Sequence, residues 1–399
     1  MIAFQLWREW RLSIAEILAV FNNPEIIDYT SDYLIIDWIN KEEVLKKASR
    51  LWWTIKIMEV LNSPIIPFNK GDKHKNSFEE KILYIATQTE WKFKYWITSL
   101  WDKFNLKTTL LKLKKELKKA GISSRFVNKD FKWLNTATII WENLVKRWWD
   151  FSYLKNKNKE WLWKTIWIQD INAYSKRDYA KSRDMQIWML PPKLAQIMIN
   201  LADNTPLPTS PLTGERSLWS IYDPFVGLWT VLIEAELMWF KELYWSDLNP
   251  KMVETASQNT KWVIEKLNAK FINEASFFDK IKNWIIVSEW YLWEVMTKKN
   301  ISKERILEQR KSLVKIYKPF FENLKKWGFS GTIVISFPFW EIKWNYHYFE
   351  EIYDILQKNC EILPFFPEDF KLKSTKTWSL LYKREKQLVG REIFKLKIK

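Results

Sequence analysis

The second half of the chain alternates short apolar runs with longer amphipathic segments. From residue 221 onward, each apolar run is followed by a stretch whose apolar positions recur every three or four residues. We therefore predict strands at 220–225, 242–248, 270–275, 283–289 and 331–337, helices at 230–239, 250–268, 303–326 and 348–358, and a terminal strand pair at 379–384 and 391–396. This order is typical of an α/β fold with a doubly wound parallel sheet and an antiparallel terminal strand.

The first half of the chain mixes shorter elements, which predicts a small α+β domain. The segments are a helix at 12–21, an alternating strand at 32–36, a helix at 107–120, a strand at 124–127 and a helix at 137–146. The helix at 107–120 is basic and amphipathic, and Gly121 ends it. Its predicted apolar face consists of Leu110, Leu113, Leu117 and Ala120.

Domain boundaries follow from the polar segments. Residues 166–186 are polar and basic, and Pro191 and Pro192 then mark the start of an apolar helix at 192–201. We divide the chain into an N-terminal domain at 1–165, a linker at 166–190 and a second domain at 191–399. The proline-rich segment 204–217 is expected to be an exposed loop.

The charge of the chain points to a polyanionic partner. Lys and Arg number 64 against 47 Asp and Glu, a net charge of +17, and residues 101–200 hold 21 basic against 9 acidic residues. Nucleic acid is the partner that such a local excess favours, although a solvated lysine-rich surface has the same composition. One Cys and two His disfavour a metal site, and no uncharged run reaches the roughly 18 residues of a membrane span. We expect a cytoplasmic protein without a membrane association.

Residues 221–230 have the outline of a cofactor-binding loop. Asp223 ends a predicted strand, Gly227 lies in the turn, and a helix is predicted to begin at Thr230. Asp247 lies 24 residues after Asp223 at the end of the next predicted strand, where a carboxylate can accept both hydroxyls of a ribose. Bulky Trp229 stands where such loops have glycine.

This loop and four further segments, at 6–21, 124–151, 168–202 and 379–394, carry a family resemblance over nearly the whole chain. Together they resemble class I S-adenosylmethionine-dependent methyltransferases, and specifically the tRNA guanine-10 N2-methyltransferase-like group, which joins a THUMP-type RNA-binding region to a methylase domain. The resemblance implies a Rossmann-like sheet, S-adenosylmethionine as cofactor, and methylation of a guanine N2 in tRNA.

The resemblance also implies roles for individual residues. Asp223 and Gly227 would shape the turn beneath the methionine part of the cofactor, Asp247 would hold the ribose, and Glu274 would face the adenine amino group. The full predicted cofactor site comprises Asp223, Phe225, Gly227, Trp229, Thr230, Asp247 and Glu274. Asp223 as a turn cap, Asp247 as a helix cap and Glu274 as a surface residue are the structural alternatives.

The predicted catalytic residues lie in the segment 287–293. Related N-methylases have Asp or Asn, then Pro-Pro and an aromatic residue here, whereas this chain has no Pro-Pro. Tyr291 keeps the aromatic residue, which stacks on a flipped base. Ser288 or Glu289 is at the polar position, and we favour Glu289 as the group that accepts the hydrogens of the amine. The alternative is a strand end at Glu289 and a core position for Tyr291.

RNA recognition is assigned to the basic first domain and the linker. Phosphate contacts and shape are how folded RNA is usually recognised. The predicted RNA-binding residues are Lys112, Lys115, Lys119, Arg125, Lys129, Lys146, Arg147, Lys176 and Arg177.

Tryptophan and glycine are present in unusual numbers, 28 and 7 of 399 residues. The resembling proteins have glycine where this chain has Trp141, Trp149, Trp188, Trp229, Trp245 and Trp378. Some bacterial lineages read the UGA codon as glycine, and we hypothesise that many of these tryptophans are glycine in the cell. Trp10 and Trp340 are candidates for genuine tryptophans. If all 28 were glycine, glycine would reach about 9%, near the ordinary level.

Two other functions are compatible with the sequence. The first is an N-methyltransferase that acts on ribosomal RNA or on DNA adenine. The second is a non-catalytic RNA-binding protein whose cofactor loop is blocked by Trp229. An NAD-dependent oxidoreductase is disfavoured because the loop lacks Gly-x-Gly-x-x-Gly.

Overall fold

The computed structural model of the chain divides into two compact units. It describes residues 1–37, 39–61, 78–100, 105–127, 136–156, 159–171, 190–202, 217–227, 229–238, 240–247, 271–272, 284–289, 296, 300–370, 372, 374–385 and 387–399. The first unit consists of 1–10, 24–49 and 54–173, and the second of 11–23, 50–53 and 174–399. This differs from the predicted continuous domain at 1–165, because two of its segments belong to the second unit.

The first unit is built on a mixed sheet. Its strands are β1 (Ile2–Leu6), β2 (Glu25–Tyr29), β3 (Tyr33–Asp37), β4 (Thr54–Val60), β5 (Phe93–Ser99), β6 (Ser124–Phe126), β7 (Trp149–Asn156) and β8 (Lys159–Ile168). Among the described residues the strand order is β2-β3-β1-β4-β8-β7-β5-β6. Strands β6, β5 and β7 run parallel to one another, and the other neighbours are antiparallel.

Helices cover the sheet of the first unit. They are α2 (Lys41–Ala48), α3 (Phe78–Thr87), α4 (Leu106–Lys119) and α5 (Thr136–Trp141). In α4, Leu110, Leu113 and Leu117 are buried as predicted and pack with β5 and β7, whereas Ala120 is the exposed C-cap. Gly121 follows at φ 72°, a left-handed conformation that closes the helix end. Helix α5 ends at Trp141, five residues before the predicted end at 146.

The helix α1 (Trp10–Val20) belongs to the second unit from Arg11 onward, although the strands around it in sequence form the first sheet. A buried carboxylate joins α1 to other segments of the second unit. Glu16 accepts hydrogen bonds from the backbone N–H of Trp52 and of Trp53, at 3.2 Å each, and from Asn200 Nδ2 at 2.8 Å. Burial raises the pKa of Glu16 to about 7.

The second unit confirms the predicted doubly wound sheet with an antiparallel terminal strand. The strands are β9 (Ser217–Asp223), β10 (Phe240–Trp245), β11 (Phe271–Ile272), β12 (Ile285–Glu289), β13 (Thr332–Ile342), β14 (Asn345–Tyr348), β15 (Cys360–Leu363), β16 (Leu380–Tyr382) and β17 (Val389–Ile398). In the described part of the chain they follow the order β11-β10-β9-β12-β13-β17-β15, with β14 on β13 and β16 on β17. Strands β9 to β13 pair in parallel, and β17 is antiparallel to β13.

The helices of the second unit include α6 (Pro192–Ala202), α7 (Thr230–Leu237), α8 (Lys303–Lys326) and α9 (Glu350–Asn359). The bounds of α8 match the prediction, because Ser302 accepts from Arg305 N–H as an N-cap and the apolar period continues to Leu324. Strands β14 and β15 were not predicted. The predicted helix 250–268 and residues 204–216 of the predicted loop 204–217 lie outside the described residues, whereas Ser217 begins β9.

Candidate active site

Four of the polar residues predicted from the sequence converge at one edge of the second sheet. Strand β9 lies between β10 and β12, so the chain winds away from β9 in two directions. The carboxyl ends of these three parallel strands carry Asp223, then Asp247 two residues beyond β10, and Ser288 and Glu289. Ligands of open α/β sheets bind outside the carboxyl ends of the strands at such a switch point.

Backbone hydrogen bonds hold the loop after β9 against the end of β10. Ser246 N–H donates to the Asp223 carbonyl at 3.1 Å, and Val226 N–H donates to the Ser246 carbonyl at 3.1 Å. Gly227, at φ 47°, donates its N–H to Asp247 Oδ2 at 3.0 Å. Asp247 therefore fixes the position of the predicted cofactor loop, a contact that the sequence did not indicate.

Asp223 is the centre of a buried hydrogen-bonded group. Its Oδ1 accepts from Ser288 Oγ at 2.6 Å and from Phe225 N–H at 3.2 Å. Burial and, more weakly, the charges of Asp247 and Glu289 raise the pKa of Asp223 to about 7, against the lowering effect of the two hydrogen bonds.

Glu289 ends β12 and forms an ion pair with Arg391. Arg391 Nε donates to Glu289 Oε1, and both side chains are nearly buried, with 2% of Arg391 and 9% of Glu289 exposed. Burial raises the pKa of Glu289, while Arg391 and, more weakly, Arg384 oppose this rise. Ser288 is fully buried and points its hydroxyl at Asp223, so of the two candidates for the polar position Glu289 is the one that lies at the strand end.

Two indole rings pack together beside the loop. Trp229 is the N-cap of α7 at φ 69°, and its ring centroid lies 4.7 Å from that of Trp245 at the end of β10. Both side chains are buried. Within the described residues, Trp245 Nε1 has no hydrogen-bond partner. A bulky side chain in a left-handed conformation is a conformational outlier, since this region favours glycine.

The other predicted cofactor residues are distributed around the loop. Phe225 packs on Tyr317 and Phe320 of α8, with ring centroids 6.4 and 5.1 Å apart. Thr230 is the first residue of α7 and is buried. Glu274 and the predicted catalytic Tyr291 lie outside the described residues.

The predicted RNA-binding residues that the structure describes are all exposed. They are Lys112, Lys115 and Lys119 on α4, Arg125 on β6, and Lys146 and Arg147 after α5. Lys119 pairs with Glu116 at 2.8 Å and Lys112 approaches Glu79 at 3.6 Å, both at the surface. Lys129, Lys176 and Arg177 lie outside the described residues.

Arg391 was not predicted from the sequence. A signal was present, because Arg391 and Glu392 lie between the apolar residues Val389 and Ile393 of the terminal strand, and charged residues are rarely buried unless they are paired. In the structure both are almost fully buried, and Glu392 accepts hydrogen bonds from Ser379 Oγ and Thr377 Oγ1 at 2.6 and 2.8 Å.

The known proteins that align with this chain are solved structures of low sequence identity. No family model and no curated protein sequence matches the chain. Among solved structures, TrmN from Thermus thermophilus aligns over 100% of this chain and 99% of its own, at 12% identity and a TM-score of 0.46. SMU.472, described as a putative methyltransferase and solved in complex with SAH, aligns over 99% of this chain and 97% of its own at 11% identity and a TM-score of 0.42. A protein from Listeria monocytogenes described as a predicted N6-adenine-specific DNA methylase aligns over 99% and 95% at 10% identity and a TM-score of 0.40.

At such low identities and TM-scores, function has to follow from the site itself. None of the helices in the described part of the chain is long and apolar enough to cross a membrane.

Proposed function

We propose that this chain is an S-adenosylmethionine-dependent methyltransferase that modifies the exocyclic N2 of a guanine in tRNA. The observation that carries the proposal is the arrangement at the switch point. A tight loop after β9 is tied to Asp247, and Asp223 and Glu289 bring further carboxyl groups to the same edge of the sheet.

The polar groups of this edge fit the proposed cofactor. Asp223 and Asp247 offer carboxylate oxygens to a ligand that carries an ammonium group and ribose hydroxyls, and the N-terminus of α7 begins beside the loop. Glu274 remains the proposed partner of the adenine. When bound, S-adenosylmethionine would supply an electrophilic methyl group on a sulfonium, whose sulfur leaves as a neutral thioether. The indole pair of Trp229 and Trp245 does not fit, because it fills space beside the loop.

Glu289 is proposed to activate the substrate amine. A carboxylate at the end of β12 accepts hydrogens from the amine and increases the electron density on its nitrogen, and Tyr291 is proposed to stack on the flipped base. Ser288 is assigned a supporting role, since its hydroxyl is committed to Asp223. Positioning of the amine in line with the methyl group provides most of the remaining rate enhancement.

The exposed basic residues of the first unit are proposed to bind the RNA backbone. Lys112, Lys115 and Lys119 project from one helix, and its buried Leu110, Leu113 and Leu117 lie on the opposite side. Such a surface attracts phosphates without reading base sequence. Cytoplasmic tRNA is therefore the proposed partner, and Lys129, Lys176 and Arg177 are proposed to extend the contact.

We propose further that many tryptophans of this sequence are glycine in the functional protein. Seven non-glycine residues have positive φ in the described ranges, and three are tryptophan: Trp229, Trp344 and Trp378 at 69°, 70° and 62°. Trp344 is 92% exposed and is the second residue of the two-residue turn between β13 and β14. Since Lys343 also has positive φ, this turn is of a type in which glycine is strongly preferred at the second position.

Trp340, in contrast, has the environment of a genuine tryptophan. It lies in β13, is buried, and donates from Nε1 to Gln309 Oε1 at 3.2 Å. An indole with a specific hydrogen bond is what a genuine tryptophan would show. The codons of the gene test directly which tryptophans are glycine in the cell and which are genuine. We expect UGA at positions 229, 344 and 378 and UGG at position 340, together with a mass of the native protein below that of the 28-tryptophan chain.

The experiment that tests the methyltransferase is binding and transfer with the natural polypeptide. Calorimetry should show binding of S-adenosylmethionine, and incubation with unmodified tRNA should give N2-methylguanosine on nucleoside analysis. Transfer to ribosomal RNA or to DNA adenine would replace the proposed substrate but keep the enzyme class.

The packed indoles favour a second candidate, a non-catalytic RNA-binding protein. This candidate requires that UGG encodes both Trp229 and Trp245 and that the natural protein binds RNA without binding the cofactor. Cofactor binding by the natural polypeptide would exclude it.

A further inference from the structure

We propose that Arg391 is a positioning residue for Glu289, which fixes the carboxylate at the end of β12 and keeps it charged. The inference rests on the proposed role of Glu289 in activating the substrate amine. It adds a residue that lies on the terminal antiparallel strand, outside the loops at the carboxyl ends of the parallel strands.

The register of three strands brings the two side chains together. Glu289 of β12 is opposite Ser336 of β13, and Ser336 is opposite Ile393 of β17. Arg391 lies two residues from Ile393 and so projects from the same face of the sheet. Its guanidinium thus reaches across β13 to Glu289, and the contact joins residues 102 positions apart in sequence.

The guanidinium is itself held in place on a second side. Tyr382 of β16 is opposite Arg391 in the antiparallel pair, and the Arg391 Cζ atom lies 5.7 Å from the centroid of the Tyr382 ring. Arg384 Nε donates to the Tyr382 hydroxyl at 2.9 Å. A guanidinium that lies over a ring on one side and pairs with a carboxylate on the other has few alternative positions, so it defines where the carboxylate lies.

A charged Glu289 is required by the proposed chemistry. An ionised carboxylate accepts the hydrogens of an amine, whereas a protonated one is a donor on one oxygen and a much weaker acceptor. Burial favours the protonated form and raises the pKa of Glu289. Two acidic groups interact with Glu289: Asp223 on β9, whose ionisation is also disfavoured by burial, and Tyr317 on α8. The basic groups that oppose protonation of Glu289 are Arg391 and Arg384.

Removal of Arg391 would therefore change the protonation of Glu289 as well as its position. A purely structural ion pair would affect folding alone. The two roles differ in the pH dependence of kcat, because only the positioning role links Arg391 to the ionisation of the amine-binding group.

The experiment compares Arg391→Met and Arg391→Lys in the full-length natural polypeptide. For Arg391→Met we expect kcat to fall by about tenfold or more and the acid limb of the kcat profile to move to higher pH, with the Kd for S-adenosylmethionine within about twofold of the parent. Arg391→Lys keeps the charge and should restore part of both effects. In a Glu289→Gln background, Arg391→Met should cause little further loss of kcat.

The matched control is Arg310→Met. Arg310 pairs with Glu351 and Glu350 at 2.6 and 3.0 Å on the α8–α9 side of the same unit. Its substitution should lower the melting temperature without moving the pH profile of kcat.

An unchanged pH profile in Arg391→Met, or an equal shift in Arg310→Met, would overturn the inference. If Arg391→Met does not fold, a reduced but measurable kcat with a parent-like pH profile in Arg391→Lys would also overturn it. Absence of methyl transfer by the parent would instead refute the proposed function.

Discussion

The substitution Trp229→Gly tests whether position 229 is glycine in the cell or a genuine buried tryptophan. Truncation of a large buried aromatic side chain costs about 3–5 kcal/mol of folding free energy. At position 229 the backbone has φ 69°, a conformation that costs a residue with a side chain about 1–2 kcal/mol and that glycine adopts freely. The expected net cost of Trp229→Gly is therefore about 1–4 kcal/mol.

Trp340→Gly is the matched control, since Trp340 is equally buried but lies in a regular strand. It should cost the full 3–5 kcal/mol of truncation, about 0.5–1 kcal/mol for glycine in a strand, and about 1 kcal/mol or more for leaving Gln309 Oε1 without its donor. The truncation cost is common to both variants, so urea unfolding should show Trp229→Gly to be less destabilising by about 2.5–4 kcal/mol.

Trp229→Gly should also gain affinity for the cofactor. Removal of the Trp229 ring opens space next to the loop and leaves Trp245 without its ring partner. We expect S-adenosylmethionine to bind at least tenfold more tightly to Trp229→Gly, about 1.4 kcal/mol by calorimetry, with no such gain in Trp340→Gly. Equal destabilisation of the two variants together with unchanged affinity would refute the reasoning.

Three further predictions concern the charged groups. Glu289→Gln should lower kcat by about tenfold or more while the Kd for S-adenosylmethionine stays within about twofold, because an amide oxygen accepts more weakly than a carboxylate; unchanged turnover would remove Glu289 from the mechanism. The pKa of Asp223 is about 7 in the folded protein against its usual 3.8, so the folded state holds this proton more tightly than the unfolded chain does. The protonated carboxyl therefore contributes to the free energy of unfolding below about pH 4, and this contribution is lost as the pH rises to about 7. Asp223→Asn keeps an acceptor for Ser288 and Phe225 and should become progressively more stable than the parent over this range in urea titrations; a constant difference would contradict the assignment. Alanine at Lys112, Lys115 and Lys119 should reduce the slope of log Kd against log salt by about 0.7–0.9 per lost phosphate contact, whereas a matched alanine triple at 311, 315 and 318 on α8 should leave the slope unchanged.

The sequence by itself determined the order of helices and strands in the second unit and the position of the loop after β9. The apolar period of α8 and its Ser302 cap are local signals, and the observed bounds follow them. The sequence also placed Asp223 and Asp247 at the ends of consecutive strands, because a turn residue after an apolar run marks a strand end wherever the strand lies in the sheet. Short strands such as β14 and β15 escaped prediction, since four residues carry too little periodicity.

Only the tertiary structure decided which distant groups meet. The contact of Ser288 with Asp223 joins residues 65 positions apart, and that of Arg391 with Glu289 joins residues 102 positions apart. The membership of α1 in the second unit follows from Glu16 and Asn200, which are 184 positions apart. Side-chain periodicity reports which face of an element is buried, but the partner on that face is selected by packing and hydrogen bonding of the whole sheet.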